Sequence, residues 1–212
     1  MKKQLNILLS ILIGLNTYSF GQDAKAILDN LSKKTTSYNS IKATFDYNMK
    51  NSTDNIDETQ KGSLITQGDK YHLNISTHEV ISNGKTIWTV LNDVEEVQIN
   101  DVDDEDEEDY ISPSNILKLW EKGFKYKYDK EITLNGVATH VINLYPENPG
   151  DKSFHTIKLY VKKAALEPAQ IVIKGKDGTD FTYTINTFQT NLNLPANTFT
   201  FKKSGYEVID LR

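Results

Sequence analysis

Four histidines are the side chains of this chain best suited to chemistry, but their spacing forms no catalytic or metal-binding pattern. They are His72, His78, His140 and His155. A zinc site of the HExxH type needs two histidines four residues apart on one helix face. GxSxG, the phosphate-binding P-loop and GxGxxG are also missing, and with no cysteine there is no thiol nucleophile. We predict no catalytic residue, no metal and no cofactor, although a Ser, Asp and His assembled from distant strands would leave no local motif.

A dense acidic run is the second feature with possible chemistry. Residues 93–109 contain eleven acidic side chains and no basic one, so mutual repulsion favours a solvated loop. Three acidic residues from Asp101 onward match the spacing of a calcium loop. Asp106, however, stands where an EF-hand needs Gly, and Ser112 stands where it needs a bidentate Glu. Docking of a basic partner and weak calcium binding are the alternatives to a solvated loop.

The elements that must position any site are mainly strands. From Ile41 to Met49, apolar and aromatic residues alternate with polar ones, which is the period of a half-buried strand. Similar short runs follow, separated by turn signals such as Asn83-Gly84, Asn135-Gly136 and Asp177-Gly178. Connections this short favour antiparallel neighbours. The polar tract 51–62 is predicted to be a hairpin loop, and a last short strand is expected near the C-terminus.

Two short amphipathic helices interrupt this pattern. The first is expected to follow Asp23, a candidate N-cap, and the second to begin at Ser112 or Ser114 and to end at Gly123. A sheet of about ten or eleven strands curls because strands twist. The fold class is therefore mainly β with short helices, as an incomplete, half-open antiparallel β-barrel capped by an α-helical lid.

The first 21 residues have the pattern of a secretory signal peptide. Lys2 and Lys3 precede an apolar stretch, and the small residues Ser19 and Gly21 precede an expected cleavage before Gln22. The apolar stretch is short for a membrane span, so cleavage is preferred to a retained anchor. Residues 22–212 would form a single domain. Without a cysteine, the processed chain could not itself be lipidated, and we expect a soluble exported protein.

Charge and aromatic content narrow the class of ligand. The chain has a formal net charge of −5, which argues against a nucleic-acid surface, since such a surface needs clustered lysine and arginine. Two Trp, eleven Tyr and eight Phe are spread over nearly every predicted strand. These aromatic side chains could fill a core between sheet and helices. They could equally line a cavity that two small helices leave open, and the sequence does not separate these possibilities.

The stretch VISNGKTIWTVLNDVEEVQI resembles a segment of the LolA family, the periplasmic carriers of outer-membrane lipoproteins. The match is carried by Asn83 to Trp88, with Asn83 where Asp is usual. Other pieces follow in the family's order, namely SIKATFDYNM, KGSLITQGDKYHL, SPSNILKLWEKGFKYKY and FTFKKSGYEVID. ITQGDKYHL lacks the Arg and Pro that family members use in lid control, and this departure is similar to a divergent branch found in Bacteroidota.

The resemblance implies a periplasmic chaperone that takes the acyl chains of lipoproteins from the inner to the outer membrane and performs no chemistry. Its expected partners are lipidated proteins as cargo, an inner-membrane release complex and an outer-membrane receptor, with the carrier itself a monomer. On the alternating strand faces, the residues expected to line the apolar groove are Phe45, Tyr47, Leu73, Ile75, Trp88 and Val90. The residues expected to form the lid are Ile116, Leu117 and Trp120.

Two other functions remain compatible with the sequence. One is a periplasmic carrier of another lipid or amphiphile, or a sensor that reads mislocalised lipoproteins. The other is a hydrolase or isomerase that uses the same cavity. A histidine and a carboxylate within hydrogen-bonding reach inside the cavity would favour the enzyme, whereas an apolar lining would favour a carrier.

Overall fold

The computed structural model describes residues 20–76, 78–102 and 120–212. Within these ranges the chain forms one α-helix, twelve strands and a 3-10 turn at Pro149–Asp151. The helix α1 spans Phe20–Thr36 and therefore begins before the predicted cap Asp23. The strands are β1 (Ile41–Asn51), β2 (Ile56–Gln67), β3 (Lys70–Ile75), β4 (His78–Ser82), β5 (Thr86–Leu91), β6 (Glu96–Asp101), β7 (Phe124–Leu134), β8 (Val137–Pro146), β9 (Phe154–Lys162), β10 (Glu167–Gly175), β11 (Thr179–Thr190) and β12 (Glu207–Asp210).

All twelve strands belong to one sheet in the order β12-β6-β5-β4-β3-β2-β1-β11-β10-β9-β8-β7. Two antiparallel meanders, β1 to β6 and β7 to β11, meet where β1 pairs with β11. The Asn135-Gly136 turn joins β7 and β8, and both of its residues have positive φ, 51° and 81°. This is the backbone of a type I′ hairpin turn. The meanders of antiparallel strands predicted from short connections are confirmed.

The sheet is open, and its end strands differ from the prediction. The order of the described strands ends at β12 on one side and at β7 on the other. β12 pairs with β6 in parallel, from Glu207 opposite Glu96 to Asp210 opposite Ile99. Parallel pairing is possible here because the long connection through the second meander returns the chain to this edge. The described chain has twelve strands where ten or eleven were expected, and the half-open barrel with its helical lid stays a prediction.

The first hairpin corrects the prediction of a long polar loop at residues 51–62. β2 begins at Ile56, so the loop is only the short turn after Asn51. The Asn51 side-chain oxygen accepts a hydrogen bond of 2.9 Å from the Thr53 amide, and Asn55 adopts a φ of 56°. The polar residues from Asp57 to Lys61 are strand residues because each of them is paired with a residue of β1, whereas β3 pairs with β2 only from Gly62 onward.

The main core lies between α1 and one face of the sheet, which we call the helix face. Ala24, Leu28 and Leu31 of α1 are fully buried. They pack with apolar side chains of the second meander, namely Ile142, Leu144, Phe154, Ile157, Leu159, Val161 and Ile171. Burial of this apolar stripe accounts for the position of α1.

A second, smaller core lies on the opposite face, which we call the outer face. Ile81, Val90 and Val97 are buried there, with Trp88 against them. The C-terminal segment supplies the cover through Phe201 and Tyr206, whose rings meet edge to face at 5.5 Å. α1 therefore covers the second meander on the helix face, and the C-terminal segment covers β4 to β6 on the outer face.

Candidate binding cavity on the helix face of the sheet

A cavity of about 470 Å³ lies on the helix face where the two meanders meet. β1 and β11 run along it, β2, β3 and β10 flank it, and the last turn of α1 stands at one end. The volume falls within the roughly 300–1,000 Å³ of small-molecule sites. The lining residues are Thr35, Thr36, Tyr38, Asn39, Ser40, Ile41, Ala43, Phe45, Tyr47, Leu64, Thr66, Gly68, Leu73, Ser153, Phe154, Pro168, Ile171, Ile173, Phe181, Tyr183, Ile185 and Phe188.

None of these lining residues carries a formal charge, and none is histidine. The middle of the cavity is formed by aliphatic and aromatic side chains, among them Leu64, Leu73 and Ile171. Such a lining favours an apolar ligand, because the described lining residues bring no charged side chain and no histidine to the cavity. It does not provide the histidine and carboxylate that the enzyme hypothesis needs inside the cavity.

Aromatic rings of β1 and β11 pack against one another in the lining. The rings of Phe45 and Tyr183 meet edge to face with their centroids 5.7 Å apart, and the ring centroids of Tyr47 and Tyr183 are 5.1 Å apart. Tyr47 also stacks on Phe181 at 6.3 Å. Burial raises the pKa of Tyr183 to about 12, and it raises the pKa of Tyr47 as well. Both phenols therefore stay neutral at physiological pH, and the aromatic wall adds no charge to the cavity.

β11 gives the cavity its length. Phe181, Tyr183, Ile185 and Phe188 all line it. Seven strand steps separate the first from the last, which at about 3.3 Å per residue is roughly 23 Å. One leaflet of a bilayer has a hydrocarbon half-thickness of about 15 Å. The cavity can therefore accommodate an extended hydrocarbon chain along the strand.

The end of the cavity beside α1 is polar but neutral. The Thr35 hydroxyl donates to the Leu31 carbonyl at 2.9 Å, as threonine does within helices. The Ser40 hydroxyl, which is buried, accepts from the Leu192 amide at 2.8 Å. These hydroxyls already have protein partners, so this end needs no bound ligand to satisfy them.

The structure brings three of the six predicted groove residues into the cavity. Phe45, Tyr47 and Leu73 line it. Ile75 opposes Gly62, which opposes Phe45, so Ile75 shares the helix face. It is not among the lining residues. That these side chains bind a ligand stays a prediction.

Trp88 and Val90 do not lie on the cavity face, which corrects their predicted position in the groove wall. Trp88 opposes Ile81, and Ile81 opposes His72. His72 opposes Ile65, which opposes Lys42 of β1. Directly opposed residues share a face, so this series follows the outer face, where β1 carries polar side chains. The side chain of β5 that is buried on the helix face is Ile87, next to Trp88 in sequence.

Of the predicted lid, only Trp120 belongs to the described residues, and Ile116 and Leu117 lie outside them. Trp120 is buried in the main core with Leu28 and Leu31 of α1. Its indole Nε1 has no hydrogen-bond partner among the described residues. The neighbouring Glu121 accepts a hydrogen bond from Ser32 of α1. Trp120 thus anchors its segment to the helix, and its role in a lid stays a prediction.

The histidines occupy positions outside the cavity. His72 Nε2 lies 3.1 Å from Glu79 Oε2, but this pair is on the outer face. His140 Nδ1 lies 3.2 Å from the Tyr128 hydroxyl, at the β7 edge of the sheet. Within residues 20–76, 78–102 and 120–212, no three His, Asp or Glu side chains are grouped to hold a metal ion.

Residues of β10 and β11 that line the cavity were not singled out by the sequence reasoning. Ile171, Phe181 and Tyr183 line the cavity together with Phe45 and Tyr47. The signal was present, because the segment TDFTYTINTF alternates in the same way as β1. What was missing was the pairing of β1 with β11, which are far apart in sequence.

Comparison with known proteins gives a family and a fold. The family model described as "Outer membrane lipoprotein carrier protein LolA" matches residues 36–202. An uncharacterized conserved protein from Thermus thermophilus is 13% identical with a TM-score of 0.60, over 89% of this chain and 99% of that one. LprF from Mycobacterium bovis is 15% identical with a TM-score of 0.51, over 84% and 98%. No curated protein matches the chain.

In the part of the chain that the structure describes, no helix is both long and apolar enough to cross a bilayer.

Proposed function

Because the chain belongs to the LolA family of outer membrane lipoprotein carriers, we propose that it is a periplasmic chaperone for lipoproteins. It would bind the acyl chains of a lipoprotein in the cavity on the helix face and carry them from the inner to the outer membrane. Its partners would be an inner-membrane release complex and an outer-membrane receptor. Residues 1–21 would be the signal peptide that exports it, and residues 22–212 the carrier domain.

The observation that carries this proposal is the uncharged, aromatic-lined cavity of about 470 Å³. Each methylene removed from water is worth about 0.8 kcal/mol. An acyl chain exposed to water therefore costs on the order of 10 kcal/mol, which prevents free diffusion between membranes. A cavity that runs along β11 from Phe188 to Phe181 removes this cost without forming a covalent bond.

Binding without chemistry also agrees with where the ionisable groups lie. His72 and Glu79 form a hydrogen-bonded pair, but they face the C-terminal segment on the outer face, where His72 also contacts the Thr198 carbonyl at 3.2 Å. No lining residue of the cavity supplies a general base. A carrier is therefore a better use of this cavity than a hydrolase.

The neutral polar end of the cavity, around Tyr38 and Asn39, favours a second candidate, a carrier or sensor of another lipid or amphiphile. A polar headgroup could lie among hydroxyl and amide groups there while its chain follows β11. Such a protein would bind free lipid without delivering lipoproteins to a receptor.

Two measurements separate these functions. Depletion of the protein, followed by fractionation of inner and outer membranes, should leave lipoproteins in the inner membrane. Lipid extracted from the purified protein and identified by mass spectrometry should be lipoprotein-derived. Normal arrival of lipoproteins at the outer membrane would reject the proposal. Free lipid as the sole extract, together with normal sorting, would support the second candidate instead.

A further inference from the structure

A second recess adjoins the cavity at the end away from the last turn of α1. It has a volume of about 320 Å³ and is lined by Ser153, Phe154, Ile173, Gly175, Lys176, Asp177 and Phe181. Four of these, Ser153, Phe154, Ile173 and Phe181, also line the main cavity. Because these side chains border both spaces, they form the partition between them. We call the two rings of Phe154 and Phe181, together with the aliphatic Ile173, the aromatic partition.

The aromatic partition is held in place by its neighbours. Phe181 stacks on Tyr47 at 6.3 Å. Phe154 is buried and stacks on Phe124, also at 6.3 Å. Ile173 and Phe181 are directly opposed on β10 and β11. Contacts on several sides limit the rotamers that these side chains can adopt.

The recess behind the partition ends at a charged turn. Lys176 is exposed and donates to the Pro149 carbonyl. The Asp177 carboxylate accepts from the Thr179 amide at 2.9 Å and from the Thr179 hydroxyl at 3.0 Å. Beyond the partition residues, the recess is lined by Ser153, Gly175, Lys176 and Asp177, so a hydrocarbon chain that passed the partition would meet polar and charged groups. The partition is thus the last fully apolar barrier along β11.

We propose that the aromatic partition sets the longest hydrocarbon chain that the cavity binds, with Phe181 as the main determinant. The inference rests on the proposed function, since it assumes that the ligand is an acyl chain lying along β11. A chain that enters at the α1 end would extend past Tyr183 and stop against Phe181. Removing that ring would join the cavity to the recess and admit longer chains.

Straight-chain fatty acids of increasing length, competing with the neutral dye N-phenyl-1-naphthylamine on delipidated full-length protein, would test this. Affinity should rise by about fourfold for each methylene that becomes buried. In the wild-type protein the rise should level off at a limiting length. In Phe181→Ala it should continue beyond that length, and the milder Phe181→Leu should show the same trend if the alanine variant folds poorly.

Phe188→Ala is the matched control, because Phe188 is the same residue type on the same strand and cavity, at the opposite end. It should weaken binding of all lengths without moving the limit. The role of the partition would be overturned if both Phe181 variants kept the wild-type limiting chain length, or if Phe188→Ala shifted that length equally. The carrier function would still stand. No binding of any fatty acid by the wild-type protein would overturn the proposed function itself.

Discussion

The ring of Phe45 lies directly over Gly62 of the neighbouring strand. The two residues are opposed in the β1–β2 ladder, and a Cβ on Gly62 would overlap the ring atoms Cε2 and Cζ of Phe45. Phe45 is 4% exposed and contacts Tyr183 on its other side. The missing side chain at position 62 therefore makes room for a ring of the cavity wall, which explains why a glycine is tolerated in the middle of a strand.

Gly62→Ala should displace the Phe45 ring into the cavity. We expect a loss of about 1–3 kcal/mol in the free energy of unfolding, as for other overpacked sites, together with weaker binding of an apolar dye. Gly150→Ala is the control, because no atom lies within 4 Å of a Cβ built there. Denaturant unfolding and dye titration would measure both effects. Wild-type values for Gly62→Ala would mean that the ring moves aside without consequence.

A charge placed in the cavity should abolish apolar binding, whereas the same charge one residue away should not. Ile185 lines the cavity, and Thr184 is on the outer face, where its hydroxyl accepts from Gln170 at 2.9 Å. A buried, unpaired carboxylate is strongly unfavourable. We expect Ile185→Glu to reduce dye and fatty-acid affinity by more than about tenfold, and Thr184→Glu to leave it near wild type. Equal effects of the two variants would contradict the assignment of the faces.

Truncation of Leu73 should mainly weaken ligand binding, whereas truncation of Trp88 should mainly lower the stability of the fold. Leu73→Ala removes cavity wall and should weaken ligand binding by about tenfold while costing about 1 kcal/mol of stability. Trp88→Ala removes packing from the outer-face cluster and should cost about 2 kcal/mol with ligand affinity unchanged. Calorimetric binding and thermal unfolding of both variants distinguish the two effects. A loss of affinity in Trp88→Ala would restore that residue to the groove.

Ionisation of the Tyr183 phenol should lower the free energy of unfolding at alkaline pH. Its pKa is raised by burial from 10.0 to about 12. The unfolded chain therefore releases this proton first, and the stability that the neutral phenol contributes is lost as pH rises from 10 towards 12. Tyr183→Phe should be close to wild type at neutral pH and lose less stability in that range. Tyr145→Phe, at an exposed position, is the control for loss of a tyrosine hydroxyl outside the cavity.

Protonation of the Glu79 carboxylate should lower the free energy of unfolding at acid pH. Its burial alone would raise its pKa, but hydrogen bonds from Lys203, Asn92 and His72 outweigh that effect and lower it below the ordinary 4.5. The contribution is present above that value and is lost as pH falls through the lowered pKa. We expect Glu79→Gln to cost about 1–2 kcal/mol at neutral pH and to flatten the acid decline.

The control for Glu79 is Glu131→Gln, whose partner Lys163 is exposed. Removing an exposed pair should change stability little. A decline with pH in Glu79→Gln as steep as in the wild type would mean that another group governs acid unfolding.

Local sequence determined the strands and their turns. The alternation of Ile41 to Met49 and the Asn135-Gly136 turn are each specified within a few residues, because a strand has a period of two and a type I′ turn needs positive φ at both central residues. In the Asp177-Gly178 turn only Gly178 has positive φ, 87°. The family followed from the order of such segments along the chain. The short turn at Asn51 was missed because polar residues can form a strand when a partner strand, here β1, supplies the hydrogen-bonding ladder.

Only the tertiary structure decided which face of each strand looks into the cavity. In TIWTVL, both Ile87 and the pair Trp88 and Val90 are apolar, so the pattern did not choose between faces, and a shift of one residue exchanges them. The choice was made by contacts distant in sequence. β1 pairs with β11, α1 covers only the second meander, and the C-terminal segment covers the other face of β4 to β6. The cavity exists because these long-range contacts leave β1 and β11 without a described helix over their aromatic side chains.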